Sequence, residues 1–113
     1  GTRIEIARNS GEPIVLTDAR NRGLPEDVIL GVRPEDIVEP DLRPGRYVQE
    51  ADCVVDIVEP AGADTFVVMQ LGGRQVTARL HSETAARPGN PHRLAFDLGK
   101  VSYFAPDTGQ RLN

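Results

Sequence analysis

The chain has 113 residues and a net charge of −4, and 39% of its residues are hydrophobic and 27% charged. This size and composition predict one globular domain with a modest core. Proteins that bind nucleic-acid single strands usually need a basic groove and exposed stacking aromatics, and this acidic chain has only three Phe, two Tyr and no Trp. Nucleic-acid binding is therefore disfavoured. No apolar run approaches the roughly 20 residues of a membrane helix, so no direct membrane insertion is expected, and no signal-peptide pattern opens the chain.

Short strands separated by turns are predicted along the whole chain. Eleven Gly and nine Pro fall between apolar runs, and no window of about a dozen residues holds a helical period. Segment 18–27 is predicted as a loop or a single short helical turn, 39–47 as a loop, and 84–89 as a turn or a helical turn. The predicted strands are, in order, residues 3–7, 13–17, 28–32, 51–58, 66–71, 74–80, 93–98 and 101–104.

Three turns are predicted from particular residues. The polar segment 9–12 joins the first two strands into a hairpin. Pro34 ends the third strand, because proline lacks a ladder donor, and a brief turn is expected to follow it. Gly72 and Gly73 form a two-residue link that can take the positive φ values of a tight hairpin.

Alternation along the later strands predicts which side chains form the core. The pattern indicates an all-β fold, a closed or nearly closed barrel of five or six strands with an N-terminal strand extension. Val54 and Val58 leave the outer face of their strand partly apolar, whereas Cys53 lies on its inner face as a buried structural thiol. The predicted core residues are Val55, Ile57, Val76, Ala78, Leu94 and Phe96.

Nucleotide chemistry is not supported by any motif in these 113 residues. A P-loop needs a glycine-rich turn followed by Lys and Ser or Thr, so that backbone N–H groups and the lysine hold the phosphates. The only lysine is Lys100, which follows Leu98 and Gly99. We therefore expect no catalytic and no cofactor-binding residues here.

Metal-binding and hydrolytic patterns are also missing from the sequence. His81 and His92 are distant from Cys53, so no ligand spacing for a metal is present. Adjacent acids such as Glu26 and Asp27 usually point apart and are solvated, which disfavours a carboxylate-pair hydrolase. No metal site is predicted.

Two segments have an open interpretation as contact surfaces. Arg33-Pro34-Glu35 places a planar guanidinium at a strand end, where it could brace this domain against another protein surface or only fix the strand end. The segment 59–64 is either a plain hairpin loop or part of a contact surface. The candidate interface residues are Arg33, Pro34, Glu35, Val54, Val58, Glu59, Pro60, Gly62 and Asp64.

An ordered set of short segments resembles a known family over roughly residues 13–113. The set resembles the C-terminal regulatory domain of the ATPase subunit of sugar-type ABC importers, the maltose and glycerol-phosphate class. Leu98-Gly99-Lys100 departs from the family, in which a proline- and acid-containing turn is common. The segments are Leu30-Gly31-Val32-Arg33-Pro34-Glu35-Asp36-Ile37, Val58-Glu59-Pro60-Ala61-Gly62-Ala63-Asp64-Thr65, Arg87-Pro88-Gly89, Leu94-Ala95-Phe96-Asp97 and Phe104-Ala105-Pro106-Asp107-Thr108-Gly109-Gln110-Arg111-Leu112.

The resemblance implies a small β-barrel of the transport-associated OB type, with residues 1–113 forming one regulatory domain of a longer subunit. The nucleotide-binding domain, with its ATP and Mg, would then lie upstream, and this part would not be an enzyme. The full subunit would couple ATP hydrolysis to uptake of a sugar or polyol. It would form a homodimer and work with membrane-spanning permease subunits and possible regulatory proteins on the cytoplasmic face of the membrane.

One alternative function remains open at this point. Related barrels in molybdate and sulfate transport systems bind oxyanions at subunit interfaces. Anion binding favours clustered N–H donors together with Lys, Ser or Thr, and this chain has one lysine and an acidic balance. The oxyanion-binding barrel is therefore the second hypothesis, after the regulatory and dimerisation domain.

Overall fold

The computed structural model describes residues 1–8, 11–40 and 45–113. These residues form ten β-strands and one turn of 3₁₀ helix at Pro34–Asp36, with no α-helix among them, which confirms the predicted all-β class. The 3₁₀ turn follows the third strand, as Pro34 predicts. The strands are β1 Thr2–Ile6, β2 Ile14–Asp18, β3 Ile29–Gly31, β4 Ile37–Val38, β5 Val48–Val54, β6 Ile57–Ala61, β7 Asp64–Leu71, β8 Arg74–His81, β9 Pro91–Asp97 and β10 Ser102–Phe104.

The strands belong to four antiparallel sheets: β1–β2, β3–β10, β4–β9–β5 and β6–β7–β8. The β1–β2 pair confirms the predicted N-terminal hairpin, although residues 9 and 10 of its turn, like 41–44 of the predicted loop 39–47, lie outside the described residues. The sheets surround one core, consistent with an OB-like fold. Within the described residues they do not close into a hydrogen-bonded barrel. β3 and β4 have only three and two residues, and the 3₁₀ turn at Pro34–Asp36 separates them, so the ladder is interrupted there.

The core draws on nearly every strand. Its largest fully buried side chains include Tyr103, Phe96, Leu16 and Ile37. β9 lies between β4 and β5, and its residues 94–97 are buried on both faces. A strand covered on both faces and paired on both edges is expected to be the most protected part of the fold.

Most of the predicted core is confirmed. Val76 is half-buried and packs against the core, so its predicted orientation is correct although its burial is incomplete. Among the six predicted residues, the fully buried ones are Val55, Ala78, Leu94 and Phe96.

The prediction for Ile57 is wrong, because its side chain is 47% exposed. The sequence predicts one strand across residues 51–58, but the structure has two. At the break, the Val55 N–H donates to the Asn90 carbonyl at 3.4 Å and the Asp56 N–H to the Val68 carbonyl at 2.8 Å. The chain thus changes its partner from β9 to β7, and the inward and outward faces exchange after Val55.

The glycine pair between β7 and β8 forms the turn that its sequence predicts. Gly72 and Gly73 have φ values of 61° and 76°, in the left-handed region that residues with a Cβ avoid. Leu71 and Arg74 are directly paired on either side of them. The two glycines therefore set the register of the longest hairpin in the described fold.

Candidate functional site

The segment Arg33-Pro34-Glu35 lies at the exit from β3. The Arg33 carbonyl accepts a hydrogen bond from the Asp36 N–H at 2.9 Å, which closes the 3₁₀ turn. Arg33 is exposed, and Pro34 and Glu35 are half-buried. Within the described residues the Arg33 guanidinium makes no hydrogen bond or ion pair, so it does not fix the strand end through a contact among them.

The segment 59–64 is more regular than a plain loop. Glu59 and Pro60 are exposed residues of β6, and Asp64 is a half-buried residue that opens β7. Only Gly62, with φ 74°, and Ala63 form the turn between the two strands. β6 is an edge strand of its sheet, where proline is tolerated because no ladder donor is needed on the free side.

The apolar outer surface beside β6 differs from its sequence-based prediction. Val54 is 45% exposed, as expected for an outward residue at the end of β5. Val58 instead is half-buried and packs against the core. Ile57 takes its place on the surface, so the exposed apolar pair is Val54 and Ile57. We refer to Val54, Ile57, Glu59 and Pro60 as the β6 edge surface.

The candidate interface residues divide into two separate groups. The 3₁₀ turn with Arg33, Pro34 and Glu35 contacts β8. The β6 edge surface lies on the opposite edge of that sheet, because β7 stands between β6 and β8. The two groups therefore lie at opposite edges of the β6–β7–β8 sheet, and a contact surface formed by all nine residues stays a prediction.

A buried carboxylate, Asp18, forms the most extensive polar cluster among the described residues. Arg20 donates to both of its oxygens, from Nε at 2.8 Å and from Nη2 at 3.0 Å. Arg22 Nε donates at 3.3 Å and the Tyr103 hydroxyl at 3.0 Å. Arg20 Nη2 also donates to the Leu98 carbonyl at 2.7 Å. The cluster joins β2 to β10, and so holds the N-terminal hairpin on the rest of the domain.

Electrostatics inside this cluster favour the charged carboxylate. Burial alone would raise the pKa of Asp18, but the hydrogen bonds from Arg20, Tyr103 and Arg22 together hold that pKa well below its usual range. Burial, followed by the hydrogen bond to Asp18, raises the pKa of Tyr103 to about 12. The Arg20 guanidinium lies 4.1 Å from the centroid of the Tyr47 ring, a cation–π contact. These contacts stabilise the fold.

Sequence reasoning missed this cluster. Residues 18–27 are polar and predict a loop, and a loop prediction assigns no partner to Asp18. The available signal was the alternation Asp18-x-Arg20-x-Arg22 directly after an apolar strand, which places three charges close together. Its distant partner Tyr103 could not be identified from local sequence.

The cysteine and histidine residues have structural positions. Cys53 is buried, and this burial raises the pKa of its thiol to about 11, which confirms the predicted inert thiol. His92 Nε2 lies 2.7 Å from Glu39 Oε2, and the Thr84 hydroxyl donates to the other oxygen of Glu39. His81 is exposed. The described part of the chain holds no group of three or more potential metal ligands and no helix long and apolar enough to cross a membrane.

Comparison with known proteins places these features in a family. The model of the TOBE domain family matches residues 30–104, which span β3 through β10. The match includes Arg33-Pro34-Glu35, the β6 edge surface and the Tyr103 side of the Asp18 cluster. The β1–β2 hairpin lies before it.

Three curated relatives illustrate where such a domain occurs. The sn-glycerol-3-phosphate import ATP-binding protein of Cupriavidus necator is 40% identical over 89 residues, 79% of this chain and 23% of the relative. The sulfoquinovosyl glycerol transport ATP-binding protein of Agrobacterium fabrum is 29% identical over 100% of this chain and 31% of the relative. The multiple sugar-binding transport ATP-binding protein of Streptococcus mutans is 30% identical over 74% of this chain and 22% of the relative.

The alignments cover 23%, 31% and 22% of those three relatives, so the chain spans about a quarter of the length of the curated proteins it matches. The matched family, the all-β fold and the ATP-binding transport relatives agree with one another. The chain belongs to the TOBE domain family, and its relatives are ATP-binding subunits of ABC importers for sugars and glycerol phosphate.

Proposed function

We propose that this chain is a non-catalytic regulatory and dimerisation domain of the ATP-binding subunit of a sugar-type ABC importer. The observation that carries the proposal is the TOBE match over residues 30–104, together with relatives whose names describe import ATP-binding proteins. In this proposal a nucleotide-binding domain elsewhere in a longer protein holds ATP and Mg. That protein couples ATP hydrolysis to carbohydrate or polyol uptake, on the cytoplasmic face of the membrane and with permease subunits as partners.

The absence of catalysis in this domain can be tested directly. Lys100 is exposed and follows the turn after β9, far from the geometry of a phosphate-binding loop that opens a helix. We expect no hydrolysis of ATP and no binding of micromolar affinity when Mg-ATP is titrated into the 113-residue chain. Affinity at about 1 μM, or measurable release of phosphate from ATP, would contradict a purely regulatory domain.

The dimerisation role is supported by the β6 edge surface. Identical subunits usually pair about a two-fold axis through one self-complementary patch. Val54 and Ile57 expose apolar surface beside the exposed Glu59 and Pro60. Since Pro60 removes one ladder donor from β6, we expect side-chain packing across the axis and not continuous strand pairing.

Sedimentation velocity over a wide concentration range tests this interface. We expect reversible dimers, with an affinity of about 10 μM or weaker because the remaining subunits would supply further contacts. Ile57→Asp should abolish the association. Val15→Asp is the matched control, since Val15 is 41% exposed on β2, which belongs to a different sheet from β6. Arg33→Glu tests whether the other candidate group contributes.

Two results would argue against dimerisation through the β6 edge surface. One is a strict monomer at the highest concentration, both for the 113-residue chain and for a longer protein that contains it. The other is a dimer that Val15→Asp weakens as much as Ile57→Asp does. In either case the TOBE assignment would stand, and the domain would act in a way other than by pairing two subunits.

A further inference from the structure

The two-stranded ribbon β3–β10 brings together basic residues that are far apart in sequence. Its register pairs Gly31 with Ser102. Arg33 and Lys100 lie two residues beyond this pair, past the ends of the ladder, and their side chains line the same pocket on one face of the ribbon. Arg111 reaches the same face because it forms an isolated bridge with Phe104. Three cationic side chains therefore meet above one short ribbon.

These side chains line a pocket of about 440 Å³. No carboxylate is among the lining residues. Arg33, Lys100 and Arg111 are all exposed, and within the described part of the chain none of these three side chains makes an ion pair or a hydrogen bond. The residues lining the pocket are Gly31, Val32, Arg33, Lys100, Ser102, Phe104 and Arg111.

The charge balance around this pocket differs from that around several other arginines of the chain. Elsewhere Arg20 and Arg22 share Asp18, and Arg93 contacts Glu50 at 3.3 Å and Asp52 at 3.4 Å. Like charges gathered around one pocket repel one another unless an anion neutralises them. In a chain of net charge −4, three uncompensated cations around one pocket are complementary to an anion.

The remaining lining residues define the shape of the ligand. A Cβ added to Gly31 would lie 2.9 Å from Phe104 Cε2, so the absence of a side chain at Gly31 lets the Phe104 ring approach the β3 backbone closely. The half-buried Ser102 supplies a hydroxyl donor beside the cations. Three cations and one hydroxyl match the three terminal oxygens and double charge of a phosphoryl group better than the two oxygens and single charge of a carboxylate.

We propose that the pocket between Arg33, Lys100 and Arg111 is a phosphoryl-binding site. The phosphoryl group could belong to inorganic phosphate or a soluble phosphate ester, or to a phospholipid headgroup, and the shared chemistry is the same in each case. This inference does not depend on dimerisation or on an upstream nucleotide-binding domain. It assigns Arg33 a ligand instead of a protein partner.

The soluble arm of the test is a titration of the ¹⁵N-labelled 113-residue chain with inorganic phosphate, with chloride adjusted to keep the ionic strength constant. We expect saturable shifts of the backbone amides of Gly31, Arg33, Ser102 and Phe104, with a Kd of about 1 mM or tighter. Lys100→Gln and Arg111→Gln should each weaken binding about tenfold, because each removes one charge-assisted contact.

The control variant is Arg79→Gln, which removes an exposed arginine of β8 that does not line the pocket. It should leave the affinity for phosphate unchanged. All substituted side chains are exposed, so the amide spectrum of each variant should show a folded chain. Equal weakening by Arg79→Gln, shifts that grow linearly without saturation, or tighter binding of a poly-glutamate peptide than of phosphate would overturn the proposal.

The lipid arm uses co-sedimentation with phosphatidylcholine vesicles, with and without phosphatidylglycerol. Binding only to the phosphatidylglycerol vesicles, lost in Lys100→Gln and kept in Arg79→Gln, would identify the phosphoryl group as a lipid headgroup. Binding of soluble phosphate without vesicle binding would identify a soluble ligand. The proposal fails if neither probe binds, or if vesicle binding is insensitive to Lys100→Gln.

Discussion

At the scale of single residues, Asp18 stands out as a buried carboxylate with several hydrogen-bond donors. Its carboxylate is fully buried and receives hydrogen bonds from two arginines and one tyrosine. A buried carboxylate with this many donors is costly to disturb, since each donor would lose its partner inside the protein. The contacts of Asp18 thus hold the β1–β2 hairpin, which precedes the residues matched by the TOBE family, on the rest of the domain.

Replacing Asp18 should therefore destabilise the domain strongly. We expect Asp18→Asn to lower the free energy of unfolding by about 3 kcal/mol, because Arg20 and Arg22 would keep their charges beside a neutral amide. The matched control is Glu5→Gln, which breaks the exposed 3.1 Å pair with Arg3 and should cost no more than about 0.5 kcal/mol. Urea unfolding followed by circular dichroism measures both. Equal effects would mean that the Asp18 cluster is not structural.

The pH dependence of stability should have two limbs with different origins. The folded-state pKa of Asp18 lies below its unfolded value, so its contribution is complete above about pH 5 and is lost as pH falls through about 4 and lower. Tyr103 and Cys53 have folded pKa values raised to about 12 and about 11, so their contribution is complete below about pH 8 and is lost as pH rises through those values. Thermal unfolding should show a plateau between these limits. Asp18→Asn should flatten the acid limb and also reduce the part of the alkaline limb that Tyr103 contributes, because the hydrogen bond to Asp18 helps raise the pKa of Tyr103.

At the scale of elements, local sequence was enough for most of the strands. Alternation located β7 and β8, and Gly72-Gly73 located the turn between them, because both signals arise from neighbours in sequence. The two-residue β4 has no such signal, because it pairs with β9, which is distant in sequence. The break between β5 and β6 likewise depends on the positions of β9 and β7. Pairing between strands that are distant in sequence determines both β4 and the β5–β6 break, so the break could not be predicted from residues 51–58 alone.

The break between β5 and β6 predicts unequal effects of two similar substitutions. Val55→Ala should lower the free energy of unfolding by about 2 kcal/mol, because it removes buried methyl groups and leaves a cavity. Ile57→Ala removes more carbon from a side chain that is 47% exposed, so about 0.5 kcal/mol or less is expected. The urea midpoints of the two variants measure how much stability each substitution removes. A larger effect of Ile57→Ala than of Val55→Ala would contradict the break and favour the single strand 51–58 predicted from the sequence.

The β7–β8 turn should depend on the glycine at its second position. Gly73 has φ 76° and open space around its Cβ direction, so a side chain would meet no atoms but would strain the backbone. We expect Gly73→Ala to cost about 1 kcal/mol, and Gly73→Asn to cost less because asparagine tolerates the left-handed region. Thermal denaturation of the three proteins gives the ranking. An Ala variant as stable as the parent would exclude strain at this turn.

At the scale of the whole molecule, the candidate sites show what sequence reasoning could and could not reach. The segments Arg33-Pro34-Glu35 and 59–64 were identified from their composition, and both are at the surface. Their separation on opposite sides of β7 could not be foreseen, nor could the convergence of Arg33 with Lys100 and Arg111, because both follow from the pairing of β3 with β10. The Asp18 cluster depends on the same long-range pairing through Tyr103.

That pairing of β3 with β10 also has a kinetic consequence. Residues 29–31 must find residues 102–104, and closing so long a loop is entropically unfavourable until other contacts hold its ends together. The β6–β7–β8 meander, by contrast, needs only short turns. We expect the meander to form in the folding transition state and the β3–β10 ribbon to form after it, with refolding on a timescale of milliseconds to seconds.

Stopped-flow tyrosine fluorescence can follow this order, since the chain contains no tryptophan. Val67→Ala in β7 should slow refolding, whereas Tyr103→Phe in β10 should mainly accelerate unfolding. The opposite pattern would place β10 in the nucleus. In the expected order, the pocket formed by Arg33, Lys100 and Arg111 is assembled last and opens first, so a ligand bound there would act chiefly by slowing the unfolding of the domain.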